Sequence, residues 1–383
     1  MSESLRASII INNYNYGRFV GEAIESALRQ TYRNTEVIVV DDGSTDNSQD
    51  VIRSFGERVI PIFKANGGQG SAFNAGFRAM AGDLACFLDA DDLLLPTAME
   101  RSVIALQDLA NVKVEWTLDV IDESGHRKGH AIPEQPFPSQ DLYEHTIQNG
   151  PFYDWLITPP SSGNCYRRRF LEQVLPMPER PYRHGADVFL MMLAPIYGRL
   201  HRLIGSHGCY RQHGQNNYYG GTITEARLRD FRQRFEDCCV ELERHLLAQG
   251  VEANTEQWRA RNYNYLWPHR LLQARNDLAN ILPTEAHYVL INNGEWDGAA
   301  LLECRNSIPF PQKHGEYWGP PVDEESAITE LEGLQSAGVE YVVLWWTANW
   351  WLEVYPDIKN WLERESRCVL ENERLMVFHL ESV

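Results

Sequence analysis

Residues 36–46, Glu-Val-Ile-Val-Val-Asp-Asp-Gly-Ser-Thr-Asp, decide the fold. Val37 to Val40 is a β-branched apolar run of the length of a strand buried on both faces. It stops abruptly on Asp41-Asp42-Gly43-Ser44, residue types that suit a turn. The same pattern recurs on either side. The strand-like Ser8–Ile11 stops on Asn12-Asn13-Tyr14-Asn15, and Leu84–Leu88 stops on Asp89-Ala90-Asp91-Asp92. Val59–Phe63 adds a further strand. Between the strands lie helical stretches: 20–30, with Val20, Ala23, Ile24, Ala27 and Leu28 at helical spacing, 49–55, capped by Asn47 or Ser48, and 70–81. Strands and helices alternating at this length predict right-handed crossovers and a parallel sheet, with ligands at the carboxyl ends of the strands.

The three polar clusters then meet at one sheet edge. Their six carboxylates (Asp41, Asp42, Asp46, Asp89, Asp91, Asp92) would repel one another without compensation, and a divalent cation is the simplest compensation. Oxygen ligands select Mn2+ or Mg2+ over zinc or copper, and such ions commonly complete their shell with substrate phosphates. The pattern therefore implies a diphosphate ligand.

Beyond residue 110 the signals are coarser. Residues 111–132 read as β structure with a hairpin at Asp122–Gly125; 225–282 read as helices, broken near Gly250 and Pro268. The tail has strand-like runs at 287–291, 341–345 and 374–380 and an amphipathic stretch at 324–337. The expected organisation is a catalytic domain over 1–222, a helical connector over 223–284 and a small α/β accessory domain over 285–383, which serves acceptor positioning or homo-oligomerisation. The tail aromatics Tyr317-Trp318, Trp345-Trp346 and Trp350-Trp351 read as core of that small domain. Arg167-Arg168-Arg169 reads as a solvated charge run.

The 35 Lys and Arg against 53 Asp and Glu leave a net charge of -18, which disfavours nucleic acid and anionic membranes as partners. No apolar run is long enough for a transmembrane segment. The seven cysteines lack metal-type spacing and read as free thiols in a reducing, cytoplasmic setting.

The segments VVDDGSTDNS (39–48) and NGGQGSAFNAGFRAMAGDLACFLDADD (66–92), with INNYNYG (11–17), resemble glycosyltransferase family 2. The resemblance implies the GT-A fold, a Rossmann-like, mostly parallel sheet with helices on both faces. It implies that Asp89 and Asp91 are the family's Asp-x-Asp motif. Tyr14 would stack on the nucleotide base and Asp42 would bond its imide nitrogen, with Asn12 and Asp41 in the same two loops. Asp89 would contact the ribose or a metal-bound water, and Asp91 would bind the metal. Asn66, Asn74 and Gly76 match the family segment that closes the nucleotide pocket. Ser162 and Asn164, in TPPSSGN (158–164), match the segment near the sugar. Asp187 stands where the family carries its catalytic base, with Ala186 in place of the usual preceding acid; an N-terminal helix carboxylate is the bland alternative. His213, in Tyr210-Arg211-Gln212-His213, would approach the metal or diphosphate, or else be a backbone-bonded structural histidine.

The implied activity is inverting transfer of a sugar from a nucleotide-diphospho-sugar, UDP-linked by preference, to a hydroxyl of a glycan, lipid-linked or peptide acceptor. Two other readings compete. A nucleotidyltransferase wants a Gly-rich first loop with a basic residue, which INNYNYGRF lacks. A non-catalytic glycan-binding or scaffold protein would not need Asp42, Asp89, Asp91 and Asp187 together.

Overall fold

The computed structural model describes residues 4–134, 142–151, 158–214, 216, 225–293 and 306–381. The chain divides into two compact units, Met1–Tyr219 with Arg234–Tyr263, and Gly220–Gln233 with Asn264–Val383.

The larger unit is built on one sheet. Strands β1 (Ala7–Asn13), β2 (Thr35–Asp41), β3 (Ile60–Phe63) and β4 (Leu84–Asp89) lie in the order β3-β2-β1-β4, all parallel. The sheet continues through β5 (Leu93–Leu94), β6 (Asn111–Ile121), β7 (Arg127–Ile132), β8 (Asn164–Arg167) and β9 (Arg199–Arg211) in the order β4-β8-β6-β9-β5, with β7 a hairpin on β6. Strand β8 runs antiparallel to both β4 and β6, so it closes the parallel half against the rest. The helices are α1 (Val20–Leu28), α2 (Ser48–Ser54), α3 (Gln69–Ala79), α4 (Ala98–Ala105), α5 (Tyr143–Asn149), α6 (Arg168–Val174) and α7 (Ala186–Tyr197).

The apolar runs alternate between two buried faces. Ile9, Ile11, Val37, Val39, Cys86 and Leu88 form one core with Val20 and Ile24 of α1, Ile52 of α2 and Met99 of α4. On the opposite face Phe87 stacks on Phe73 of α3, ring centroids 4.1 Å apart. Helix α3 presses close to the sheet because Gly76 has no Cβ; one built there would lie 2.3 Å from Ile10 Cγ2. Register does the rest: Asn12 pairs with Asp89 of β4 and Asn13 with Asp41 of β2, so the polar ends come level.

Two expectations fail in this unit. The sequence reading had no strand at β8 or β9 and no helix at α6; the 13 residues of β9 mix Arg, His and Gly among apolar residues and carry no clean period. Arg167, Arg168 and Arg169 are a solvated run only in part, since Arg169 is exposed and Arg168 half-buried. Arg167 is buried and donates to the carbonyls of Asn111, Leu106 and Asp108; Arg168 donates to those of Met80 and Gly82, and Arg169 to that of Leu109.

Helix α8 (Glu225–Ala248) begins in the smaller unit and ends in the larger, which also holds α9 (Thr255–Arg261). Helix α10 (Tyr263–Ile281) runs through Pro268; the break falls at Asn262, whose amide donates to the Pro151 carbonyl at 2.6 Å. The smaller unit has a second sheet of β10 (His287–Ile291), β11 (Asn306–Pro309), β14 (Tyr341–Trp345), β15 (Ser366–Glu371) and β16 (Leu375–Leu380), in the order β11-β10-β14-β16-β15, and a two-strand hairpin of β12 (Gln312–Lys313) and β13 (Glu316–Tyr317). One sheet face packs Tyr288, Leu290, Val343 and Trp345 on Leu271, Ala274 and Leu278 of α10. The other is covered by α11 (Glu324–Ser336), α12 (Trp351–Val354) and α13 (Pro356–Glu365) through Leu331, Trp351, Ile358 and Trp361. The tail aromatics divide: Trp345 and Trp351 fill the core, whereas Trp318 is 69% and Trp350 37% exposed. Among the described residues no helix is long and apolar enough to cross a membrane.

Candidate active site

The loops after β1 and β2 are tied to each other first. Asn13 Nδ2 donates to Asp41 Oδ1 at 2.8 Å, the Thr45 N–H to Asn15 Oδ1 at 2.7 Å and the Gly17 N–H to Asp46 Oδ2 at 2.9 Å. Asp41 also accepts from the Ser44 N–H and Gln49 Nε2. Asp42 is buried and anchors the next loop: it accepts from Lys64 Nζ at 2.5 Å, from Asn66 Nδ2 at 3.1 Å and from the N–H groups of Gly67 and Gly68. Gly68 allows this turn, with φ 89° and Arg183 packed where a Cβ would stand. Asp92 accepts from Ser162 Oγ at 2.6 Å and from the Arg211 N–H at 2.9 Å. Four of the six carboxylates of the sequence pattern thus serve to tie these loops and strand ends together.

Asp89 and Asp91 remain, and they have company. Asn12 Nδ2 donates to Asp89 Oδ1 at 2.7 Å, and the Asp89 N–H donates to Ser162 Oγ at 3.1 Å. The Ser161 hydroxyl lies beside the carboxylates of both Asp89 and Asp187, and the charge of Asp187 bears on Asp89, so these two face one small space. Burial, and then the charge of Asp91, push Asp89 up to about 7 from its ordinary 3.8. Burial also raises Asp187 and Asp92. Asp187 is the second residue of α7, and its Oδ1 accepts from the Val188 N–H at 3.0 Å.

His213 reaches Asp91, Nε2 to Oδ2 at 3.0 Å, and its ring lies against Tyr16 and Phe19. Arg211 beside it is buried and braces the strand ends, donating to the carbonyls of Asp91 and Glu123 and to Glu22. Among the described residues no three His, Cys, Asp or Glu side chains are grouped so as to hold a metal unaided. The residues nevertheless suit a divalent cation with a partly external shell. Two adjacent ligands of an octahedral ion with bonds of about 2.1 Å stand about 3 Å apart, which is the separation of Asp91 Oδ2 and His213 Nε2.

The other expected residues fall into two groups. Tyr14, the residue before Asn15, is 47% exposed, and Asn66 caps Asp42. Asn74, Ser162 and Asn164 are buried and hold loops. Both amide ends of Asn74 engage the Met177 backbone, and Asn164 Nδ2 donates to the Pro159 and Pro160 carbonyls. Gln69, Ser161 and Tyr16 were missed by the sequence reading. Burial, with the charges of Asp91, Asp89 and Asp92, raises the Tyr16 hydroxyl far above its ordinary range. The only available signal was their position inside quoted motifs.

Residues 8–175 match the family described as Glycosyl transferase family 2. A protein of Nostoc sp. named as an uncharacterized glycosyltransferase is 41% identical over 218 residues, 56% of this chain and 67% of that protein. An uncharacterized glycosyltransferase of Rickettsia typhi is 39% identical over 137 residues, 35% of this chain and 43% of that one. Among solved structures, S. aureus TarS 1-349 in complex with UDP overlaps 73% of this chain and 76% of its own, with 16% identity and a TM-score of 0.47.

Proposed function

The chain belongs to glycosyltransferase family 2, and from that premise we propose that it performs inverting transfer of a sugar from UDP-sugar to an acceptor hydroxyl, with Asp187 as general base. The observation that carries this reading is the meeting of Asp89 and Asp187 about the Ser161 hydroxyl. A donor-binding carboxylate and a basic carboxylate must share one space if a hydroxyl is to attack a sugar held between them.

Asp187 takes the proton of the acceptor hydroxyl as the new bond to the anomeric carbon forms. Burial raises its proton affinity, which suits a group that must accept a proton near neutral pH. The diphosphate leaves from the opposite face, so one displacement inverts the centre and needs no covalent enzyme intermediate. Asn12 holds one oxygen of Asp89, leaving the other to meet the donor ribose. Tyr14, Asp42 and Asn66 belong to the loops assigned to the base. Asp91 and His213 would hold Mn2+ or Mg2+, which when bound supplies positive charge against the leaving diphosphate. The acceptor is a glycan, a lipid-linked glycan or a peptide, and the smaller unit serves acceptor positioning or self-association.

Calorimetric titration with UDP in the presence of Mn2+, followed by a screen of donors for nucleotide diphosphate release, tests the proposal. UDP binding that is weakened by EDTA, together with UDP release from at least one UDP-sugar, is the expected result. Release from none of the nucleotide-sugars would overturn it.

A further inference from the structure

Helix α7, which carries Asp187, has no side-chain cap of its own. The first N–H groups of a helix need acceptors from elsewhere. They find one 116 residues away in sequence: Gln69 Oε1 accepts from the Gly185 N–H at 3.0 Å and the Ala186 N–H at 2.9 Å. The other end of the same amide, Nε2, donates to Asp89 Oδ1 at 3.2 Å and to Ser161 Oγ at 3.3 Å. An amide has two donor hydrogens and two acceptor lone pairs, and all four are engaged. The side chain cannot be turned over, because Asp89 requires a donor and the two N–H groups require an acceptor. Gln69 is itself held, since its backbone N–H donates to the Arg183 carbonyl at 2.8 Å.

We propose that Gln69 is a positioning residue: one amide clamps the start of the helix bearing Asp187 to the carboxylate of Asp89, and so sets the distance from base to donor. This rests on the assignment of Asp187 as base. A displacement of about 1 Å in such a pair can cost about a hundredfold in rate. Donor binding depends on the clamp less, because Asn12 still holds Asp89.

The test is a double-mutant cycle in the full chain, with a mixture of UDP-glucose, UDP-galactose and UDP-N-acetylglucosamine as probe and UDP release as readout. Gln69→Met is expected to lower kcat about ten- to hundredfold and to leave the UDP affinity in Mn2+ within about threefold. Hydrogen exchange at residues 185–187 should quicken. Asp187→Asn alone should cost about a hundredfold, and the double variant should be no slower than Asp187→Asn, since a residue acting through another adds nothing once that other is gone. Gln69→Glu keeps the acceptor for the helix but sets a carboxylate against Asp89, so it should weaken UDP about tenfold and leave exchange at 185–187 unchanged; it also serves if Gln69→Met does not fold. Losses that multiply in the double variant, or unaltered exchange in Gln69→Met, would overturn the inference alone. An inert Asp187→Asn would overturn the base assignment and the inference with it.

Discussion

Each unit has parallel strands whose carboxyl ends carry polar residues, and the two ends differ in kind. In the larger unit β1, β2 and β4 end on Asn12-Asn13, Asp41-Asp42 and Asp89, and burial with mutual repulsion keeps Asp89 and Asp92 above their ordinary range. In the smaller unit β10 and β14 end near Asn293 and Thr347, and the groups satisfy one another. Asn293 Nδ2 donates to the Thr347 carbonyl at 2.6 Å while its Oδ1 accepts from Trp351 Nε1 at 3.1 Å. Among the described residues, similar architecture therefore supports a crowd of carboxylates at one edge and an amide closed on its neighbours at the other. A strand-end crevice is only a location; the unsatisfied chemistry set into it makes a site.

The sharpest way to break this comparison is to remove the charge that faces His213. Asp91→Asn is expected to cut sugar transfer by about a thousandfold, the upper scale for losing one electrostatic element of a site. UDP affinity should fall in Mn2+ and change little in EDTA. Equal affinity of variant and parent in Mn2+ would remove Asp91 from the cation site.

Asn293→Ala probes the other edge. It deletes both hydrogen bonds and places alanine at φ 57°, a left-handed conformation that asparagine tolerates better because its short amide side chain can hydrogen-bond locally. A loss of about 1–3 kcal/mol in denaturant unfolding is expected, with UDP release from donor unchanged. A fall in turnover without loss of stability would show that this edge also serves the reaction.

The smallest effect concerns pH. Asp89 binds its proton up to about 7 when folded and only to about 3.8 in the unfolded chain. Between those values the folded state holds more protons, so the metal-free protein gains stability as pH falls from 7 towards 4, and the penalty is complete above 7. Lowering the pH from 7.5 to 5.5 should raise Tm by about 3 °C or more, and Asp89→Asn should flatten that change. Mn2+ should stabilise at pH 7.5 and much less at pH 5.5. A parent and an Asp89→Asn variant with the same pH slope would mean that Asp89 is not strained.

The sequence alone determined the parallel core and the identity of its acidic ends. Apolar runs such as Val37–Val40 leave few alternatives to a buried strand, and the polar residues after each run must fall at one edge. Its resemblance to the family also singled out Asp89, Asp91, Asp187 and His213, because short motifs keep their residue types in register. Tertiary structure decided which carboxylates stay available and which are spent. The Asp92 carboxylate meets its partners Ser162 and Arg211 from 70 and 119 residues away, and that of Asp89 meets Asn12 from 77. Pairings at such separations leave no trace in local pattern. The same holds for Gln69, whose two ends reach strand β4 and helix α7 only after the chain has closed on itself. It holds too for Arg167, part of a charge run by sequence, whose guanidinium group finds the carbonyls of Asn111 and Leu106 only in the folded core. Hydrogen-bond satisfaction is a property of the packed interior, and composition cannot say which donor will meet which acceptor there.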